Sequence, residues 1–156
     1  RQDLLKKELE EINIINEFLP KQMDENETKK ICENILEDKT KIEACIQLYF
    51  DSLYESDAEK VRSSFHDAAM ISGYLPDGLH EMNLDDFASF VSSQQPSPKE
   101  NNDEILLEII SCDINGSTAS VKVRDGYLGM IFVDTLSLLK VNDDWKIYTK
   151  LFHVES

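Results

Sequence analysis

The sequence predicts an α+β fold in which helices come first and an antiparallel run of strands comes last. Up to Val91, apolar residues recur mostly at helical spacing, a strand at 69–75 excepted, whereas after residues 92–103 the period becomes that of strands and stays so. Within the strand-period half, Asn115-Gly116 and Asn142-Asp143-Asp144 supply turn chemistry between apolar runs. A chain of 156 residues with 41% hydrophobic composition has room for one ordinary domain and a small appendage.

Leu5, Leu9, Ile12, Ile15 and Leu19 mark a first helix, which Pro20 ends. Asp24 with Glu27 caps a second, whose stripe is Ile31, Ile35 and Leu36 and which closes near Glu37-Asp38. Thr40-Lys41-Ile42-Glu43 is a capping box for a third helix, burying Ile42, Cys45, Ile46, Tyr49, Phe50 and Leu53. Ser56-Asp57-Ala58-Glu59 opens a short helix through Val61 and Phe65. Residues 69–75 form a strand, and Pro76-Asp77-Gly78 reverses the chain. Asn83 caps a helix that turns Leu84, Phe87, Phe90 and Val91 inward, and residues 92–103 form a loop. Strands at 105–114 and 118–124 flank Asn115-Gly116, and strands at 129–141 and 145–154 flank Asn142-Asp143-Asp144. Residues 1–37 are read as a helical hairpin appended to a main domain, 38–156. Two short helices are marginal alone, so Leu5, Leu9, Ile12, Phe18 and Ile31 are expected to dock on that domain or on a partner subunit.

Charge and motifs exclude several functions. The net charge is −15, and between Arg62 and Lys122 the sole basic residue, Lys99, stands against ten acids. That face repels a phosphate backbone, so nucleic acid is not an expected partner. No apolar stretch approaches the ~20 residues of a membrane span, and no signal peptide is visible. The chain starts at Arg1 inside a helical pattern, which reads as a fragment or trimmed form. Cys32, Cys45 and Cys112 are far apart and read as free thiols in a reducing, cytoplasmic compartment. There is no Gly-rich phosphate loop, G-x-S-x-G, H-E-x-x-H or C-x-x-C, so neither metal nor cofactor is expected. The acidic pairs Asp85-Asp86, Asp103-Glu104 and Asp143-Asp144 fall at a helix start, a strand start and a turn, where capping and solvation are their ordinary work.

An ordered set of motifs then carries a resemblance: residues 46–53 (Ile-Gln-Leu-Tyr-Phe-Asp-Ser-Leu), Asp57, Phe65-His66-Asp67-Ala68, residues 132–140 and residues 145–152. From about residue 40 onward the chain resembles the nuclear transport factor 2-like superfamily, in its "putative lumazine-binding" branch. The resemblance implies a cystatin-like α+β cone, with a bent antiparallel sheet around three helices and a cavity at the open end. The superfamily holds isomerases, dehydratases, cyclases, transport factors and proteins without assigned activity, so the fold alone transfers no function. Residues 1–37 resemble a piece of the GatB/YqeY-like family, carried by Arg1–Glu8, Glu11-Ile12, the Phe18-Leu19-Pro20-Lys21-Gln22-Met23 run and Glu27. That family is related to a tRNA-binding tail of an amidotransferase, but acids outnumber basic residues here, a weak footprint for RNA.

The candidate site follows from strand parity. If Leu136 and Leu138 face the helices, Asp134 does too, where desolvation would raise its pKa and suit it to acid–base work. Alternatively, Asp134 is structural and accepts a hydrogen bond from a backbone group or from Lys150. Tyr49 and Tyr74 could place hydroxyls in the cavity, or be core aromatics reaching the rim. His66 either lines the cavity or caps the short helix before it, and it is the second catalytic candidate after Asp134. Lys150 is a candidate anion contact or a solvated strand residue, His80 is expected in solvent, and His153 shares its parity with Trp145 and Ile147. Phe50, Phe65, Phe87, Leu136 and Trp145 would line the apolar remainder.

Function is accordingly read as a small-molecule-binding or oligomeric interaction module, binding an apolar or ring-containing molecule. Enzymatic activity is left open. One rival is a cofactor-independent isomerase, dehydratase or cyclase acting on a ring-containing substrate; another is a translation-linked role through residues 1–37. A sheet apolar on both parities, with Val133, Leu139, Ile147 and Leu151 as candidates, predicts a homodimer packed sheet to sheet.

Overall fold

The computed structural model describes residues 1–18 and 24–155, the side chains of Asn16 and Phe18 excepted. Leu19 and Pro20, expected to close the first helix, lie outside the described residues, as do Lys21, Gln22, Met23 and the docking expected of the Phe18 side chain. Packing divides the chain into two compact units, Arg1–Asn34 and Ile35–Ser156.

The first unit contains α1 (Gln2–Phe18) and the start of α2 (Glu25–Glu55). The expected capping box forms: Asp24 Oδ1 accepts from the Glu27 amide at 3.4 Å, and Glu27 Oε2 accepts from the Asp24 amide at 3.3 Å. Leu5, Leu9, Ile12 and Ile31 are exposed.

The break expected at Glu37-Asp38 does not occur, because α2 continues to Glu55. Thr40 does not cap a new helix; its hydroxyl donates back to the Leu36 carbonyl at 3.0 Å, as a threonine inside a helix does. Glu37–Lys41 at 2.9 Å and Lys39–Glu43 at 3.9 Å are i,i+4 ion pairs spanning the same turns. The inward face of α2 is as expected, with Ile42, Ile46 and Tyr49 fully buried.

The second unit continues with α3 (Ala58–Ser64), β1 (Phe65–Leu75), β2 (Gly78–Asn83), α4 (Leu84–Ser93), α5 (Pro98–Asn101), β3 (Leu107–Asn115), β4 (Thr118–Tyr127), β5 (Met130–Val141) and β6 (Asp144–Val154). Asp57, not Ser56, caps α3, accepting from the Glu59 and Lys60 amides at 2.8 and 3.1 Å. Ser56 adopts a φ of 53° and donates to the Gln94 carbonyl at 2.7 Å. Asn83 caps α4 as expected, but Ala88 is buried where Phe90 was expected and Phe90 is 39% exposed. The loop at 92–103 holds the one-turn α5, started by a Ser97–Glu100 capping box.

The six strands form one sheet in the order β2-β1-β6-β5-β4-β3. It is mixed rather than wholly antiparallel, since β1 pairs with β6 in parallel. A long connection through α4 and the meander separates those two strands, so no hairpin dictates their direction. One face is buried. In β4, Ala119, Val121, Val123, Asp125 and Tyr127 point in, and in β5, Phe132, Asp134, Leu136 and Leu138 do.

A bulge in β6 decides what faces the interior. Ser137 pairs with Thr149 and Leu138 with Ile147, leaving Tyr148 as the extra residue. Such an insertion flips the parity of the strand beyond it. Before it Trp145 and Ile147 are buried; after it Lys150 and Phe152 are. His153 is therefore exposed rather than in phase with Trp145, and Ile147 belongs to the core rather than to the outer face. Across the parallel pair, Phe152 meets Gly73: a Cβ there would lie 2.1 Å from the Phe152 carbonyl oxygen and 2.4 Å from its Cγ. Only glycine lets the two strands close at that point.

Candidate functional site

The interior face of the sheet, α2, α4 and β2 enclose a cavity of about 200 Å³. Its wall is mainly apolar, with Leu53, Leu75, Met82, Phe87, Phe132 and Phe152, and the polar groups converge on one end. That end is built by three elements: α2 brings Tyr49, β4 brings Asp125 and Tyr127, and β6 brings Lys150 through its bulge.

Asp134 on β5 anchors the arrangement. It is fully buried, and its Oδ2 accepts from Lys150 Nζ and, at 3.0 Å, from the Tyr49 hydroxyl. Lys150 is 5% exposed and lies among aromatic faces, its Nζ 5.2 Å from the Tyr49 ring centroid and 5.4 Å from that of Phe152. The Tyr49 ring is held in turn by Phe65, edge-on at 5.4 Å, and Phe65 by Phe87 at 5.7 Å.

A second carboxyl lies against it. Asp125 is 2% exposed, its Oδ1 and the Asp134 Oδ1 both meet no hydrogen-bond donor among the described residues, and a proton on Asp125 would bond Asp134. Burial pushes its carboxyl up to about 7; the Asp134 charge acts in the same direction, and Lys150 opposes both. The Tyr127 hydroxyl is likewise buried without a partner among the described residues. Burial raises the pKa of Tyr127, and burial followed by the Asp134 and Asp125 charges raises that of Tyr49, so both stay protonated donors. The polar end thus holds one ammonium, the carboxylate it neutralises, two phenols and a carboxyl that changes charge near neutral pH.

Of the residues read from the sequence, Tyr49, Phe87 and Lys150 line this cavity, and Asp134 faces inward in phase with Leu136 and Leu138 as parity predicted. Phe65 and Leu136 are core, off the cavity wall. Phe50 lines a larger neighbouring hollow of about 480 Å³ instead. Trp145 is buried away from the cavity and donates its indole N–H to Asp38 at 3.0 Å. Tyr74 is 57% exposed, because β1 turns Ile71 and Gly73 inward and so turns Tyr74 out. His66 lies within β1, where its Nδ1 accepts from the Ala68 amide at 3.1 Å and its ring stands 5.2 Å from Tyr148, off the cavity wall. His80, expected in solvent, lines the cavity and bonds Asp77 at 2.8 Å.

Asp125 and Tyr127 escaped the sequence reading, which ended their strand at Arg124. The signal was present: Ala119-x-Val121-x-Val123 alternation runs on through Asp125 and Tyr127. Met82 was missed because β2 is six residues of mixed polarity, without a periodic signature.

Comparison with known proteins fits this architecture. The family described as "Putative lumazine-binding" matches residues 37–153, and a model described as a Yqey-like protein matches residues 1–47. A nuclear transport factor 2-like protein of unknown function from Silicibacter pomeroyi superposes with a TM-score of 0.69 at 20% identity, covering 78% of this chain and 98% of its own. One from Methylobacillus flagellatus gives 0.68 at 25% identity, covering 77% and 94%. A relative with a cystatin-like fold from Novosphingobium aromaticivorans gives 0.64 at 14% identity, covering 85% and 92%. No curated protein matches the chain. No helix among the described residues is long and apolar enough to cross a membrane. Its α+β fold is that of these nuclear transport factor 2-like structures, and with three quarters of its length matched to one family model the chain belongs to the "putative lumazine-binding" family.

Proposed function

We propose that this protein is a binding module that takes a small, ring-containing, largely apolar molecule into the cavity between α2, α4 and the sheet. The observation that carries this is the cavity itself: about 200 Å³ of mainly apolar wall, with Asp125, Tyr127 and Lys150 gathered at one end. Such a site discriminates by shape and by one or two hydrogen bonds. Neither Asp134, whose Oδ2 is held by Lys150 and Tyr49, nor His66 is in the cavity wall, which favours binding over an isomerase, dehydratase or cyclase built on those two residues. Titration with naphthalene-sized ring compounds, followed by NMR, tests the reading. Saturable shifts at Leu75, Met82, Phe87 and Phe152 are expected. Shifts confined to the opposite face of the sheet, or none, would refute it.

The same fold supports self-association. Met70, Tyr74 and Leu151 are 45, 57 and 56% exposed on neighbouring strands of the outer face. Two copies packed sheet to sheet would remove that apolar surface from water. Sedimentation should give a dimer mass that falls to the monomer on dilution; a monomer at every concentration would exclude it. Residues 1–37 are read as an appended helical segment, in keeping with the division of packing after Asn34.

A further inference from the structure

The charges around the cavity do not balance. The small cavity and the larger hollow adjoin, sharing Leu53, Tyr127, Leu128 and Met130 in their walls. Among the described residues, only two basic side chains line either one, and both are engaged: His80 with Asp77, and Lys150 with Asp134. Against them stand the acids Asp51, Asp103 and Glu104 of the outer hollow, and Asp125 at the inner end. Asp125 is decisive because it is a buried carboxyl in the wall of an apolar chamber, set against Asp134. The two carboxyl groups, each with an oxygen that meets no donor among the described residues, share one ammonium. A buried acceptor of this kind is costly until something donates to it.

We propose that the cavity selects a cationic ring ligand, an apolar amine or protonated ring nitrogen whose N–H bonds Asp125 while its ring fills the apolar chamber. The inference rests on the reading of this cavity as the binding site and names its ligand class. Each alternative leaves a cost. An anion meets two carboxyl groups that share one ammonium, and a neutral ring, even one that donates a hydroxyl, leaves their excess charge uncompensated. A cation supplies both the donor and the charge that Lys150, held by Asp134, does not offer to Asp125. The acids of the larger hollow would attract the same sign of charge toward the cavity it adjoins.

Three probes of one shape separate the classes: naphthalen-1-ylmethylamine, naphthalen-1-ylmethanol and 1-naphthoate, titrated calorimetrically into the full chain at pH 8. The amine should bind at least about tenfold more tightly than the alcohol, since both donate but only the amine brings charge to the bond, and the naphthoate more weakly than either. Asp125→Asn should reduce the amine-to-alcohol ratio at least about tenfold while changing alcohol affinity by less than about threefold. Lowering the pH from 8 to 6 should weaken amine binding, because Asp125 gains a proton while an alkylammonium keeps its charge. The titratable groups acting on Asp125 are Asp134 and Lys150, Tyr49 bonds Asp134, and Tyr127 and His80 complete the titratable lining of the cavity; Asp125→Asn should abolish this pH dependence. Equal or tighter binding of the alcohol or the naphthoate would overturn the cationic preference and leave the cavity reading standing. No binding of any probe would overturn both. An unchanged ratio in Asp125→Asn would overturn the role of Asp125; if that variant does not fold, the ratio on the unmodified chain still decides.

Discussion

Replacing Lys150 by methionine should lower the folding free energy by about 3–5 kcal/mol, the cost of stranding a buried carboxylate. Asp134 is fully buried, and without the ammonium its Oδ2 would keep only the Tyr49 hydroxyl while Asp125 repels it. The loss belongs to the broken pair rather than to lost packing, since methionine nearly matches the lysine stem. Lys150→Met combined with Asp134→Leu should therefore recover part of the stability, since replacing both members of a buried pair by apolar groups is often close to neutral but the buried Tyr49 hydroxyl loses its acceptor. Urea unfolding at pH 8 checks both. A single variant within about 1 kcal/mol of the parent, or a double variant worse than the single, would show that the pair does not anchor this end of the cavity.

Asp125 should make the protein less stable as the pH rises. Its carboxyl titrates near 3.8 when free and at about 7 in the fold, so the native state holds the proton more tightly than the unfolded chain. The stability this contributes is present in full below about pH 4 and is lost as the pH climbs to about 7. Asp38, held low by hydrogen bonds from Lys140 and Trp145, and Glu55, held low by Lys60 and Lys99, act in the opposite sense. The comparison with Asp125→Asn isolates the one group. The variant should gain on the parent steadily between pH 5 and pH 7 and keep its advantage at pH 8. Parallel stability curves for the two proteins across that range would mean that Asp125 stays ionised in the fold.

The helix-rich first half, the closing meander, its turns and the inward face of β5 were all legible in the sequence. Those features are written in local chemistry. Gly116 turns at a φ of 61°, and Asn142 and Asp143 turn at 49° and 70°, the left-handed region that these residue types tolerate best. The Asn83 cap is formed by a side chain that reaches three residues along its own chain. Asp134 could be aimed from two neighbours of the same parity. Local chemistry also misled where two structures share one signal: Thr40-x-x-Glu43 reads as a cap, yet a threonine can return its hydroxyl to a carbonyl four residues back and let the helix run on.

Tertiary structure alone decided the polar end of the cavity. Parity carries a side chain's direction only while the strand register is unbroken, and the unpaired Tyr148 exists only because β5 and β6 pair as they do. That one residue puts Lys150 inside and His153 outside. The parallel contact of β1 with β6 likewise joins strands far apart in the chain, and it needs the bare backbone of Gly73 under Phe152. Asp125 was legible as an inward residue through its alternation with Val121 and Val123. Its missing partner was not, because the nearest ammonium comes from another strand and is already held by Asp134. Direction along a strand is a local property, whereas the pairing of buried charges depends on which strands the fold brings together.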